Sequence, residues 1–100
     1  MDNTLCGELR ESVELLAILN TLHRRRDEYM VEARLSSLMD RREKFINTII
    51  NVCGKEIAEK YEEVINNPED NELLTNVLLL LHKCMVRNGC ESNILLEEQQ

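Results

Sequence analysis

Cys6, Cys53, Cys84 and Cys90 are the residues of this 100-residue chain whose chemistry depends most on what they meet. In an oxidising environment four cysteines form two disulfides, with three connectivities open. The sharper alternative is zinc, held by His82, Cys84, Cys90 and a fourth ligand. The chain, however, has neither C-x-x-C nor H-x-x-x-H spacing, and that argues against a metal site. Its start, MDNTLCGELRES, lacks the basic start and apolar run of a leader peptide. The expectation is therefore a cytoplasmic or nuclear protein with reduced, metal-free thiols, Cys53 and Cys84 lying on apolar helix faces. His23 and His82 have no matched Asp or Ser signature around a nucleophile, so both read as ordinary surface or boundary residues. Neither an enzyme nor a cofactor nor a small-molecule substrate is expected.

The second group of interest is cationic. The stretch LHRRRDEYMVEARLSSLMDRREKF (22–45) contains Arg24, Arg25, Arg26, Arg34, Arg41, Arg42 and Lys44. Residues 24–44 carry seven cations and five anions, a net +2, whereas the rest of the chain has five cations and fourteen anions, a net −9. Duplex nucleic acid requires a surface that neutralises several phosphates without carboxylates among the cations, and here Asp27, Glu28, Glu32, Asp40 and Glu43 interleave with them. Six of the seven cations are arginines, the residue type favoured at protein interfaces. The seven are thus candidate partner-binding residues, docking on an acidic surface of another protein or of a second copy. The competing reading is a set of solvated helix faces held by local pairs such as Asp40 with Lys44.

These residues must be carried by helices. Apolar residues make up 43% of the chain and only Tyr29, Phe45 and Tyr61 are aromatic, so Leu, Ile, Val and Met build the core. From Thr4 to Asn67 there is no proline, and apolar residues recur three and four apart. No uninterrupted apolar run is longer than that of 77–81, which is too short to span a bilayer. The chain reads as all-α: one compact bundle of about five short helices over residues 1–90, able to form a dimer or larger homo-oligomer, with a polar tail over 91–100.

The first helix begins after Asn3 or Thr4 and carries Leu5, Leu9, Val13, Leu16 and Leu19 on one face. A second, 28–38, is capped by Asp27 and turns Val31, Leu35 and Leu38 inward. A break near Asp40 follows because a continuous helix would aim Arg42 into the stripe of Leu35, Leu38, Ile46 and Ile49. Asp40 with Glu43 forms a capping-box pattern for a third helix, 41–53, which Gly54 stops. The fourth, 55–66, places Ile57, Ala58, Tyr61, Val64 and Ile65 inward. Asn67 and Pro68 mark the next boundary. The last helix, from about Glu69 to Asn88, is apolar over most of its circumference and is expected to be the central one. Leu16, Ile46, Ile49, Leu74, Val77 and Leu81 should share one core.

REKFINTIINV (42–52), Gly54, then Ala58, Tyr61 and Ile65, followed by Pro68 and LLTNVLLLL, resemble the fourth helix, fifth helix and final turn and helix of a caspase-recruitment domain, a death-fold module. The resemblance covers the C-terminal half and rests on apolar pattern. The N-terminal half departs from it, being about a dozen residues too short for six helices. It implies homotypic assembly in apoptotic or innate-immune signalling, with Arg24 to Arg26 and Arg41 to Lys44 as the basic interface. A second class of function is that of small dimeric helical viral proteins that suppress RNA silencing by laying helices along double-stranded RNA. In that reading Arg24, Arg25, Arg26, Arg34 and Arg41 contact phosphates. A nuclear-export pattern through Leu9, Val13, Leu16 and Ile18 is a third reading, weakened because those residues are better used as core.

Overall fold

The computed structural model describes the backbone of residues 3–24 and 29–90 and the side chains of residues 4–20 and 32–90. Five helices follow in order: α1 (Asn3–Arg24), α2 (Tyr29–Asp40), α3 (Arg42–Cys53), α4 (Lys55–Asn66) and α5 (Asn71–Arg87). There is no strand among the described residues. Residues 91–100 and the expected cap Asp27 lie outside them.

The helix breaks have separable causes. Only Arg41 interrupts α2 and α3, its N–H donating to the Leu38 carbonyl at 3.0 Å. The anticipated Asp40 capping box does not form: Asp40 remains the last residue of α2, Arg41 takes the cap position, and no side chain caps α3. Gly54 divides α3 from α4 with φ 103° and ψ 157°, a backbone region open essentially to glycine alone. Its N–H closes α3 on the carbonyls of Ile49 and Ile50, and its own carbonyl receives the Ala58 N–H. At the boundary of Asn67 and Pro68, Asn67 closes α4, its N–H donating to the carbonyls of Glu63 and Val64, and a turn follows before the next helix starts. The cap of α5 is Asp70, whose carboxylate accepts the Leu73 N–H at 3.0 Å. Asn20 of α1 braces that turn, donating to the Pro68 carbonyl at 3.3 Å and to Asn71 Oδ1 at 3.0 Å.

The core joins Leu9, Val13, Leu15 and Leu16 of α1 to Leu38, Phe45 and Ile49, to Ala58, Tyr61, Val64 and Ile65, and to Leu74, Val77, Leu81 and Met85. Of the six residues expected to share it, five are buried and Ile46 packs against it half-buried. Tyr61 is fully buried, and its hydroxyl donates to the Ser12 carbonyl at 2.9 Å. Burial alone pushes that phenol far above its ordinary range. Ser12, the one buried polar residue of the described set, satisfies its own hydroxyl on the Leu9 carbonyl at 2.6 Å.

The centre of the bundle is α1, not α5. It touches all four other helices, whereas α5 packs on α1, α3 and α4 and keeps one side outward. That outward side carries Leu79, 43% exposed, and Val86, 57% exposed. Apolarity around the whole circumference of α5 therefore exceeds what its neighbours cover.

All four cysteines are paired, which corrects the expectation of free thiols: Cys6 bonds Cys90 and Cys53 bonds Cys84. Tertiary packing accounts for both. Gly89, at φ 76°, turns the chain back at the end of α5. The Gly89 N–H bonds the Val86 carbonyl at 3.1 Å and the Cys90 N–H bonds that of Met85 at 2.8 Å, together a Schellman motif. This delivers Cys90 to the first turns of α1, its Cα 5.6 Å from that of Cys6. The last residue of α3 meets α5 in the same way, with 5.7 Å between the Cα atoms of Cys53 and Cys84.

Candidate interaction surfaces

The face that α1 turns toward α2 and α3 bears Glu8, Glu11 and Glu14, three residues apart and so nearly in line along the helix. Each meets a cation from the arginine-rich segment. Arg34 of α2 grips Glu14 with two parallel bonds, 2.9 Å from Nε and 2.8 Å from a terminal nitrogen. Arg41, at the break between α2 and α3, bonds both carboxylate oxygens of Glu11, and its guanidinium lies 5.4 Å from the centre of the Phe45 ring. Lys44 pairs with Glu8 at 3.2 Å, while Thr48 donates to the other oxygen of that carboxylate at 2.5 Å.

Three of the seven candidate partner-binding cations, Arg34, Arg41 and Lys44, are therefore engaged within the fold. Lys44 pairs across helices with Glu8, and the local pair with Asp40 is not the one observed. Arg42 is half-buried in the first turn of α3. The side chains of Arg24, Arg25, Arg26 and His23 lie outside the described residues. The missed partners had a sequence signal: three glutamates at a spacing of three beside the stripe of Leu9, Val13 and Leu16.

Donated hydrogen bonds hold two of these carboxyls below their ordinary value, chiefly from Thr48 and then Lys44 for Glu8, and from Arg34 for Glu14. A carboxyl depressed in the folded state contributes stability that is full above its unfolded pKa and is lost as pH falls through the folded one. The ladder should thus hold α2 and α3 on α1 at neutral pH and weaken below the unfolded value of 4.5. Urea midpoints taken across that range are expected to fall on acidification, and Glu8→Gln with Glu14→Gln should flatten the profile. The rung at Glu11 gives a second measurement. Arg41→Glu sets carboxylate against carboxylate and should cost about 1 kcal/mol, which Glu11→Arg in the same chain should largely restore.

Cys84 and Cys90 cannot serve the zinc set envisaged with His82, since their sulfurs are bonded to Cys53 and Cys6. Among the described residues no group of three metal-ligating side chains comes together. His82 is half-buried on α5, and its Nδ1 is buried with no hydrogen-bond partner. No helix among the described residues is long and apolar enough to cross a membrane.

The surface of α4 and α5 is different in character. Exposed Glu56, Glu59, Glu62, Glu63, Glu69, Asp70 and Glu72 follow one another along α4 and the start of α5. Lys60 answers Glu56 only at 4.0 Å, a loosely held exposed pair. The outer side of α5 continues from this acid with Leu79 and Val86 in solvent, Val86 standing between exposed Lys83 and Arg87. Asp70, Glu72, Leu73 and Asn76 line an open depression at its acidic end. Comparison with protein families, curated proteins and solved structures finds no match to this chain.

Proposed function

We propose that this chain is a non-enzymatic protein–protein interaction module whose docking surface is the outer side of α5. The carrying observation is the exposure of Leu79 and Val86 on one face of a helix whose other faces are fixed in the core and tied by disulfides at Cys84 and Cys90. A rigid helix offering exposed apolar residues among charged ones is a recurrent docking element. The arginine-rich segment is less suited to that task than its composition implied, because docking through Arg34, Arg41 or Lys44 would first break their bonds to α1. A phosphate backbone approaching them would also meet Glu8, Glu11 and Glu14, which disfavours the duplex-RNA reading. Through the caspase-recruitment resemblance, such a module would serve assembly in apoptotic or innate-immune signalling. The two disulfides count against a cytoplasmic setting for that assembly and favour maturation in an oxidising compartment.

A photo-crosslinking residue placed at position 79, and in a second protein at position 42, tests the reading in cell extract supplemented with duplex RNA. Discrete protein adducts, to the chain itself or to another protein, are expected from position 79, with no RNA adduct from either. Absence of protein adducts, together with a submicromolar duplex-RNA shift that weakens steeply with salt, would replace the proposal with the RNA reading.

A further inference from the structure

We infer that the partner of α5 is α5 of a second copy, packed antiparallel about a two-fold axis near Leu79. The inference rests on the reading of this chain as an interaction module and specifies its occupant.

Glu72, Leu79 and Val86 stand seven residues apart and so share one line along the helix, drifting only about 20° per step. Thr75, Asn76 and Lys83 flank that line, and all six side chains are exposed. The strip is ordered by charge: acidic at its start, where Glu69, Asp70 and Glu72 stand, apolar at Leu79 in its middle, and basic over its last turns, where Lys83 and Arg87 bracket Val86. Such a strip complements itself only when reversed. With Leu79 on the axis, Glu72 of each copy comes opposite Val86 and Arg87 of the other, with Lys83 one turn away. A parallel pairing would set acid on acid and base on base. The open depression of Asp70, Glu72, Leu73 and Asn76 lies where the last turn of the second copy would enter. Antiparallel packing also places the positive end of each helix dipole beside the negative end of the other. One self-complementary patch used twice closes the assembly at two copies.

A 17-residue helix is about 25 Å long, so one helix pair is a small interface and the dimer should dissociate on dilution. Sedimentation equilibrium of the full oxidised chain from about 1 to about 500 μM spans that range. The wild type is expected to pass from monomer to dimer mass, and Leu79→Glu to remain monomeric, with the melting temperature that the wild type shows at concentrations where it too is monomeric. Glu72→Lys should weaken the dimer about tenfold or more, and adding Lys83→Glu and Arg87→Glu to it should restore association to near the wild-type value. Wild type monomeric throughout, trimers or larger species, or failure of the triple charge reversal to recover would each overturn the inference. A dimer indifferent to Leu79→Glu would do so too, while leaving the interaction-module reading in place. A foreign protein crosslinked at position 79 on a monomeric chain would have the same consequence. A full-length monomer that dimerises only once residues 91–100 are removed would show that the tail, not a second copy, occupies the face.

Discussion

Reduction of both disulfides is expected to bring this domain to the edge of unfolding at room temperature. Cys6 and Cys90 are 84 residues apart and Cys53 and Cys84 are 31 apart. On the chain-entropy account, closing loops of those lengths destabilises the unfolded state by about 4.6 and about 3.7 kcal/mol respectively. The smaller loop is nested in the larger, so the two terms add to less than their sum. Even so the total is comparable with the whole stability of a typical domain, about 5–15 kcal/mol. Replacing Cys53 and Cys84 by Ala should lower the melting temperature by roughly 15–25 °C, and replacing Cys6 and Cys90 by somewhat more. The connectivity is directly readable. Trypsin acting on the unreduced protein should release peptide 1–10 joined to 88–100, and 45–55 joined to 84–87. Four titratable thiols in the unreduced, denatured protein, or joined peptides in any other combination, would refute the pairing.

The two bonds also determine which parts of the fold can move. Cys6 to Cys90 ties the beginning of α1 to the end of α5, and Cys53 to Cys84 ties the end of α3 to the same helix. Helix α5 is therefore clamped at its C-terminal end, while Asp70 and the Asn20 bridge fix its start. A helix held at both ends presents Leu79 and Val86 on a surface that is already ordered, which lowers the entropy lost on docking. By contrast, α2 is attached to α1 on its solvent side through the exposed pair of Arg34 with Glu14, and through Leu38 within the core.

Local chemistry was legible in the sequence where it was decided by neighbours in the chain. Gly54 ends α3 because only glycine tolerates its backbone, and Ala58, Tyr61, Val64 and Ile65 turn inward because the 3.6-residue period leaves them no other face. The break before Arg42 was visible for the same reason, although its cap was misassigned. What was not legible depended on elements far apart in sequence. The cysteine pairing required knowing that the Schellman turn at Gly89 returns the chain to α1. The engagement of Arg34, Arg41 and Lys44 required knowing which face of α1 receives α2 and α3. Composition marked α5 as the most apolar helix, but burial depends on how many neighbours a helix has, and the 22 residues of α1 gave it more. The excess apolarity of α5 is the part of the sequence that the monomer leaves unexplained.

Leu81→Ala is expected to destabilise the protein by about 2–5 kcal/mol, whereas Leu79→Ala, two residues earlier on the same helix, should cost well under about 1 kcal/mol. The residue type and helix are the same, so the difference isolates the face. Leu81 is fully buried in the core with Val77 and Met85 of its own helix and Leu16 of α1, and its truncation leaves a cavity that those neighbours fill only in part. Leu79 is 43% exposed and loses little contact. At about 4–8 °C per kcal/mol, the buried substitution should lower the melting temperature by roughly 10–30 °C and the exposed one by a few degrees at most. Both measurements belong in the oxidised protein at a concentration low enough to keep it monomeric, because dimerisation through α5 would add a stabilisation that Leu79→Ala removes. Equal losses at the two positions would mean that α5 is buried on both sides, and would remove the surface on which the proposed function and the dimer both depend.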